Sequence, residues 1–445
     1  MNKTTILALV LGVTAPLAAQ ASSSGPFSDA FAMEATAILA DGQDYRFQDL
    51  NLSTDHVTFR ADQLQIKGGQ VAFKGGVLES VSEGKTPLKI GSGSFSDLAT
   101  MEAVLLGKMC DVDHSGGALS SSAVSLQGVE TEMKAWIDAE SEADVQPFFM
   151  AAGEVDINGG TDEGTGCFLP AGAQIRNAWA QSPRTGAKAL LPQMSLEVDQ
   201  THLRMKASGG RAVLGNGDRL ADFDQLELDV SSSMVSSAAL EDVLSEGAFV
   251  KGNVSVKGGY LSVKGLLGDV DASKAVPEVS GDGQLKFDLQ ARDINISLSG
   301  DVEGLAEGEA GISLALADHR TLEAMIGQSM FPDPMMLLSV VMLKDASMKY
   351  VDKGALSLVE AISGNSAMKT VERLEAKASS LPKPPTGLFD WMKGVVTTGV
   401  GHGILNPIEP VSGADIMMQM MMSPTSAASL LGAEGGFGKD SSSLR

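Results

Sequence analysis

The chain has 445 residues, of which 43% are hydrophobic and 5% aromatic, and its formal net charge is -23 at pH 7. So acidic a surface repels nucleic-acid phosphates and anionic lipid headgroups, so we do not expect nucleic-acid binding. The length exceeds that of one compact core, which predicts two domains or one elongated sheet.

The first residues, MNKTTILALVLGVTAPLAAQA, have the pattern of an export signal. Lys3 precedes an apolar run at residues 6–13, and Ala19-Gln20-Ala21 has the small-x-small form of a cleavage site. The apolar run is far shorter than the ~20 residues that span a bilayer. We predict a signal peptide at residues 1–21 and a periplasmic or secreted mature chain without a transmembrane segment. A signal anchor that stays in place is the alternative.

The chain has two cysteines, Cys110 and Cys167. An exported chain meets an oxidising compartment, where paired cysteines form disulfides. We therefore predict a Cys110–Cys167 disulfide, and two free thiols are the alternative.

Lys67-Gly68-Gly69 lies between two alternating apolar runs, and a near copy stands at Lys257-Gly258-Gly259. Paired glycines are typical of the two central positions of tight hairpin turns. A two-residue turn at the first site places Ile66 opposite Val71, with the apolar partners on one face. We predict a hairpin there.

The same reasoning applies to the copy and to a third site. A turn at Gly258-Gly259 places Val256 opposite Leu261, which again keeps apolar partners together. A turn at Gly75-Gly76 places Phe73 opposite Leu78 and continues the first hairpin as a meander. We predict turns at both sites.

Period-2 alternation of apolar and polar residues recurs in many other short segments, separated by Gly, Ser, Asp and Asn. This pattern favours antiparallel sheet with one polar face. We predict a mainly β fold, α+β overall, in which an elongated, curled antiparallel meander sheet precedes a helix-rich C-terminal region. The segments are residues 45–52, 124–133, 194–205, 223–230, 285–289, 294–298 and 312–316.

The pattern divides the chain into four parts. They are the signal peptide at 1–21, an N-terminal antiparallel β region with the disulfide-linked loop at 22–230, a second β-meander at 231–316, and an α/β region with a Met-rich helix at 317–445. Ser96-Asp97 is predicted to cap one helix of the β region, and further helices are expected at 388–400 and 413–422.

The Met-rich helix has three open interpretations. Its methionines fill a core, form an adaptable apolar lid, or bind Cu(I) through soft thioether ligands. The candidate lid residues are Met417, Met418, Met420, Met421 and Met422.

One short motif resembles a calcium loop. Asp111, Asp113 and Ser115 supply oxygens at alternate positions and Gly116 follows, but Ser122 stands where such loops carry a bidentate glutamate. Calcium binding by Asp111 and Asp113 and an ordinary turn beside the disulfide are therefore both open.

No other motif points to chemistry. The five histidines are scattered, without the i, i+4 spacing of a helical zinc pair. Neither a Gly-x-Ser-x-Gly elbow nor a phosphate-binding glycine loop is present. We predict a non-enzymatic protein without a cofactor, and a hydrolase is a distant alternative.

Strands such as HVTFRADQLQIKGGQVAFKGG, FDQLELDV and GNVSVKGGYLSVKG, in an exported chain, resemble AsmA-like proteins of Gram-negative envelopes. The resemblance is one of pattern and covers residues 35–316. It implies an elongated, curled sheet whose apolar groove handles phospholipid or another envelope lipid. A cleavable signal replaces that family's usual N-terminal membrane anchor and the chain is shorter, which argues against a membrane-bridging role.

An apolar sheet face also has to be covered by a second layer or by a ligand. The first function hypothesis is therefore binding or transfer of a lipid or other apolar molecule on the sheet. The alternative is a structural or protein-interaction component of the periplasm, with envelope proteins as partners.

Overall fold

The structure is a computed structural model in which the chain forms two compact units, residues 1–219 with 235–237 (unit 1) and residues 220–234 with 238–445 (unit 2). The predicted boundary at 230 falls within a strand of unit 2. The predicted regions 231–316, apart from residues 235–237, and 317–445 lie together in that unit. The structure describes residues 25–80, 86–108, 119–135, 146–162, 167–199, 201–232, 249–262, 278–290, 293–316, 341–357, 360, 364–379, 386–422 and 430–437. The predicted signal peptide lies outside them.

Unit 1 is an antiparallel meander in which each strand from β2 to β11 pairs with the next, while β1 also pairs with β3. Residues 194–205, predicted as one segment, span two strands, because Asp199 closes a turn by accepting from the backbone N–H of His202 at 2.7 Å. The strands are β1 (Ala32–Glu34), β2 (Ala37–Asp41), β3 (Asp44–Ser53), β4 (Val57–Lys67), β5 (Gln70–Ser80), β6 (Leu88–Phe95), β7 (Leu119–Ala135), β8 (Gln146–Asp162), β9 (Phe168–Gln181), β10 (Lys188–Val198) and β11 (His202–Val213).

The sheet of unit 1 curls around helix α1 (Leu98–Leu105). Of the predicted Ser96-Asp97 pair, Asp97 caps this helix, because its carboxylate accepts from the backbone N–H of Thr100 at 2.6 Å. The helix contacts β4, β5, β6, β7 and β9. Eight residues of helix span about 12 Å, whereas β4 to β9 would span about 24 Å in a flat sheet. The strands must therefore curve to reach the helix.

The core of unit 1 fills the inner face of this curl. Phe47, Phe59 and Leu64 are each 1% exposed, and Met101 of α1 is fully buried among them. Phe59 meets Phe73 edge-on, with ring centroids 5.2 Å apart. The apolar face of unit 1 is thus occupied by the protein's own side chains.

The predicted turn at Gly68-Gly69 is confirmed. Ile66 pairs with Val71 across it. Both glycines have positive φ, at 55° and 85°, as a type I′ hairpin requires at its two central residues.

The predicted turns at Gly75-Gly76 and Gly258-Gly259 are wrong. Both sites lie inside continuous strands, β5 and β13 (Phe249–Ser262). Only the first glycine of each pair has positive φ, Gly75 at 64° and Gly258 at 59°, so neither pair can close a type I′ turn.

The two strand-interior sites are alike in detail. A Cβ added to Gly75 would lie 2.0 Å from a carboxylate oxygen of Asp62, and one added to Gly258 would lie 2.2 Å from that of Asp224. Each glycine therefore lets an aspartate of the neighbouring strand approach closely. The Lys257 copy corresponds structurally to Lys74-Gly75-Gly76 rather than to the turn at Gly68.

Unit 2 is a second antiparallel meander, in which each strand from β12 to β18 pairs with the next; β19 pairs with β17, and β20 pairs with β18. Its further strands are β12 (Arg219–Ser232), β14 (Glu278–Gln290), β15 (Asp293–Val302), β16 (Ala306–Leu316), β17 (Val341–Asp352), β18 (Val400–Leu405), β19 (Val411–Ser412) and β20 (Ala433–Phe437). Its helices are α2 (Ala367–Ala378), α3 (Thr386–Thr398) and α4 (Gly413–Met422).

The predicted fold class is confirmed: the chain is mainly β and antiparallel, and its few helices lie mostly in the C-terminal region. The helices predicted at 388–400 and 413–422 correspond to α3 and α4. Helix α2 starts at a Ser366 cap, just after Gly364 at a φ of 66°.

Candidate functional site

The candidate site is the apolar face of unit 2, which carries a row of directly opposed side chains across five strands. In antiparallel sheet, opposed residues share a face. The register places Val254 opposite Leu285, Leu285 opposite Leu298, Leu298 opposite Ala310, and Ala310 opposite Met348. We call these five residues the apolar row.

The apolar row is open to solvent. Leu298 is 54% exposed, Met348 45% and Leu285 37%. A neighbouring row on the same face, which contains Phe287 and Ile296, is half-buried. Among the described residues of β13 to β16, no apolar side chain reaches the burial seen in the core of unit 1. The apolar face is therefore buried in the core of unit 1, whereas the apolar row of unit 2 is open to solvent.

Helix α3 covers the same face at its far end. Gly403 of β18 lies opposite Met348, and Gly401, two residues away, shares its face. A Cβ added to Gly401 would lie 2.4 Å from Val395 of α3. The indole N–H of Trp391 donates to the carbonyl of His402 at 2.8 Å, which holds the helix on the sheet.

A cavity of about 490 Å³ lies on the same strands. It is lined by Leu298, Ala310 and Met348 of the apolar row and by polar residues at the alternate positions of the same strands. Those polar residues are Gln284, Lys286, Ser297, Ser299, Glu309, Ser347, Lys349 and His402. Successive residues of a strand point to opposite faces of the sheet. These polar groups therefore lie mainly on the face opposite the apolar row, and the cavity belongs mainly to that polar face.

Tyr350 and His402 of unit 2 differ in their hydrogen bonding. Burial, and a hydrogen bond of 2.9 Å donated to Asp352, raise the pKa of Tyr350 to about 12. The His402 ring lies over Gly436, and neither of its nitrogens has a hydrogen-bond partner among the described residues.

The methionine lid remains a prediction. Helix α4 contacts β17 and β19. Met417 is half-buried and Met418 is 54% exposed. The side chains of Met420, Met421 and Met422 lie outside those that the structure describes.

The other predicted site residues lie in unit 1. Cys167 is disulfide-bonded, and its predicted partner Cys110 lies outside the described residues. The possible calcium ligands Asp111 and Asp113 also lie outside them. Within the described ranges, no three His, Cys, Asp or Glu side chains are grouped closely enough to hold a metal ion.

The comparisons with known proteins identify no family. A scan against protein-family models finds no match, and a search of curated proteins finds none either. In the part of the chain that the structure describes, no helix has the length and apolar character needed to cross a membrane.

Sequence reasoning found the strands of the site but not its open surface. Residues 285–289 and 294–298 were predicted as alternating strands, and both lie within the described sheet. Met348 and His402 were not singled out, because a lone methionine or histidine in a strand carries no signal of its own. The register, which aligns Met348 with Leu298 through Ala310 and places His402 opposite Lys349 on the other face, was the missing information.

Proposed function

We propose that unit 2 binds a lipid or another apolar molecule along the apolar row, as part of an exported, non-enzymatic protein of a Gram-negative type of envelope. The observation that carries the proposal is the contrast between the units. In unit 1 the apolar face is filled by Phe47, Phe59 and Leu64 at 1% exposure each, whereas Leu298 in unit 2 is 54% exposed. Exposed apolar surface of this kind commonly marks a ligand or partner site.

The chemistry of the row suits an acyl chain. Leu285, Leu298 and Met348 lie on successive or nearby strands, so together they form a line across the sheet. Burying each CH₂ group of a chain is worth about 0.8 kcal/mol. Methionine adapts its shape to different apolar partners. The ligand class is therefore a lipid acyl chain or a molecule of similar length and polarity.

The test compares two double variants on the same strands. Leu298→Asp with Met348→Asp places charge on the apolar row, whereas Ser297→Asp with Ser347→Asp places the same charges at neighbouring, exposed positions of the opposite face. Uptake of pyrene-labelled phosphatidylethanolamine from vesicles is measured by fluorescence. We expect the first variant to bind at least about tenfold more weakly than wild type.

The serine variant is expected to take up the labelled lipid as wild type does, because its charges lie away from the row. Circular dichroism is used to check that both variants keep their sheet. Equal uptake by the two folded variants would contradict the proposal.

A protein-interaction role is the second candidate, and it has its own observation. Strand β2 pairs with β3 alone among the described strands, and its Ile38 and Leu39 are 47% and 66% exposed. Apolar residues on an open strand edge are typical of sites where a partner adds a strand. This role predicts that Leu39→Lys abolishes a specific complex seen with wild type in envelope pull-downs; recovery of the same partners by both proteins would rule it out.

A further inference from the structure

The interior of the unit 1 sheet contains a set of residues with left-handed backbone conformation. Positive φ occurs at Asp49 (51°), Gly75 (64°), Gly128 (61°), Asn177 (54°) and Gly209 (67°). They belong to alternate strands, β3, β5, β7, β9 and β11. Asp49 and Asn177 are the two non-glycine residues with positive φ in the described part of the chain. Such a conformation costs about 1–2 kcal/mol for most residues, and less for Asn and Asp.

The strand registers place all of them at one level. Gln48 pairs with Gln63 and Leu50 with Ala61, so Asp49 stands opposite Asp62. On each following strand pair, the residue pairs on either side identify the opposed residue in the same way, and the register does not change at this level. The full line is Asp49, Asp62, Gly75, Gly91, Gly128, Gly153, Asn177, Pro192 and Gly209.

The alternation of buried and exposed residues shifts by one at this line. In β4, the buried side chains are Val57, Phe59 and Ala61 on one side of the line, and Leu64 and Ile66 on the other. Asp62 and Gln63 between them are both exposed.

The same shift occurs three strands later. In β7, Val124 and Leu126 are buried before the line and Val129 after it, while Gln127 and Gly128 are both exposed. A strict period of two would have turned one half of each strand outward. The irregularity thus keeps apolar side chains on the inner face along the whole strand.

Pro192 supports this assignment from a different direction. Proline lacks an N–H and is normally excluded from interior strands. Here it stands within β10, which pairs with both β9 and β11. The pairs on either side, at Leu191 and Gln193 with β9, are intact, whereas the residue pair at Pro192 is missing. The N–H that proline lacks would therefore have no paired residue of β9 to bond at this level, and the sheet tolerates Pro192 there.

We infer that this line is a bend built into the unit 1 sheet, at which a left-handed residue on every second strand returns the apolar side chains to the core. One irregular residue bends a strand and increases its twist. Because neighbouring strands are irregular at the same level, the ladder keeps its register across the line. The left-handed Asp49, Gly75, Gly128, Asn177 and Gly209 are therefore required by backbone conformation and not by contact with a ligand.

Substitutions at Asn177 and Gly128 test the inference. The order in which side chains stabilise the protein is reversed between an ordinary strand position and a left-handed one. Valine is favoured over glycine in a strand interior, whereas at positive φ a β-branched residue is strained and glycine is not. We expect Asn177→Gly to have a Tm equal to or above that of wild type. Asn177→Val is expected to lower the Tm by about 2–8 °C.

Gly128→Ala isolates the backbone effect. A Cβ at this position would come no closer than 3.6 Å to a neighbouring atom, the backbone nitrogen of Gly91. Contact is therefore ordinary, and the expected fall in Tm of about 2–8 °C reports the positive φ alone.

Glu130 is the matched control, since it is exposed, lies on β7 two residues beyond Gly128 and is away from the line. There we expect Glu130→Val to be at least as stable as Glu130→Gly. Calorimetry of the full-length oxidised protein measures all five variants. A Tm for Asn177→Val at or above that of Asn177→Gly, or a Tm for Gly128→Ala equal to that of wild type, would overturn the inference.

Discussion

Replacing Phe59 with alanine is expected to destabilise unit 1 by about 3–5 kcal/mol, the range for a phenylalanine removed from a packed core. Phe59 is 1% exposed and its ring meets that of Phe73 edge-on. The cavity left behind would lie between the curled sheet and helix α1, where few atoms are free to move into it. Urea unfolding followed by circular dichroism measures the loss.

Phe149→Ala is the matched control, because Phe149 is a phenylalanine of the same sheet that is 42% exposed. Its loss should cost well under half as much, since much of the ring already contacts water. Similar losses for the two variants would mean that the inner face of unit 1 is not the packed core described above.

Loss of the disulfide is the second large effect. Cys167 is disulfide-bonded, and the next residue, Phe168, donates its backbone N–H to the carbonyl of Lys108 at 3.0 Å. This bond brings the start of β9 beside the chain that follows helix α1, two residues before Cys110. We expect Cys167→Ser to destabilise the protein by about 2–5 kcal/mol.

Three comparisons check the predicted Cys110 partner. Cys110→Ser should cost as much as Cys167→Ser, the double variant should cost no more than either, and reduction of wild type should give the same urea midpoint. Two reactive thiols in the unreduced, unfolded wild-type protein would contradict the pairing.

The sequence was sufficient for much of the fold because hydrophobic periodicity is local. The register at Gly68-Gly69 followed from matching Ile66 with Val71, and the Asp97 cap followed from the residues around it. The same Lys-Gly-Gly letters at Gly75 and Gly258 were misjudged, since a left-handed glycine can close a turn or sit inside a strand. The close approach of Asp62 or Asp224, which comes from another strand, decides between the two.

The candidate site depended on longer-range information. Alternation in residues 285–289 and 294–298 predicted an apolar face, but not whether another layer covered it. Helix α3 reaches the face at Gly401, while Leu298 stays open, and only the three-dimensional arrangement distinguishes these positions. Likewise, the line through Asn177 and Pro192 becomes visible only when the strands are aligned.

The most direct test of the proposed lipid binding is native mass spectrometry of the protein purified without detergent after export in a Gram-negative host. We expect a species heavier than the protein by the mass of a lipid, which is absent from the Leu298→Asp, Met348→Asp variant and present in the Ser297→Asp, Ser347→Asp variant. Wild-type protein that carries no lipid and takes none up from vesicles would contradict the proposal.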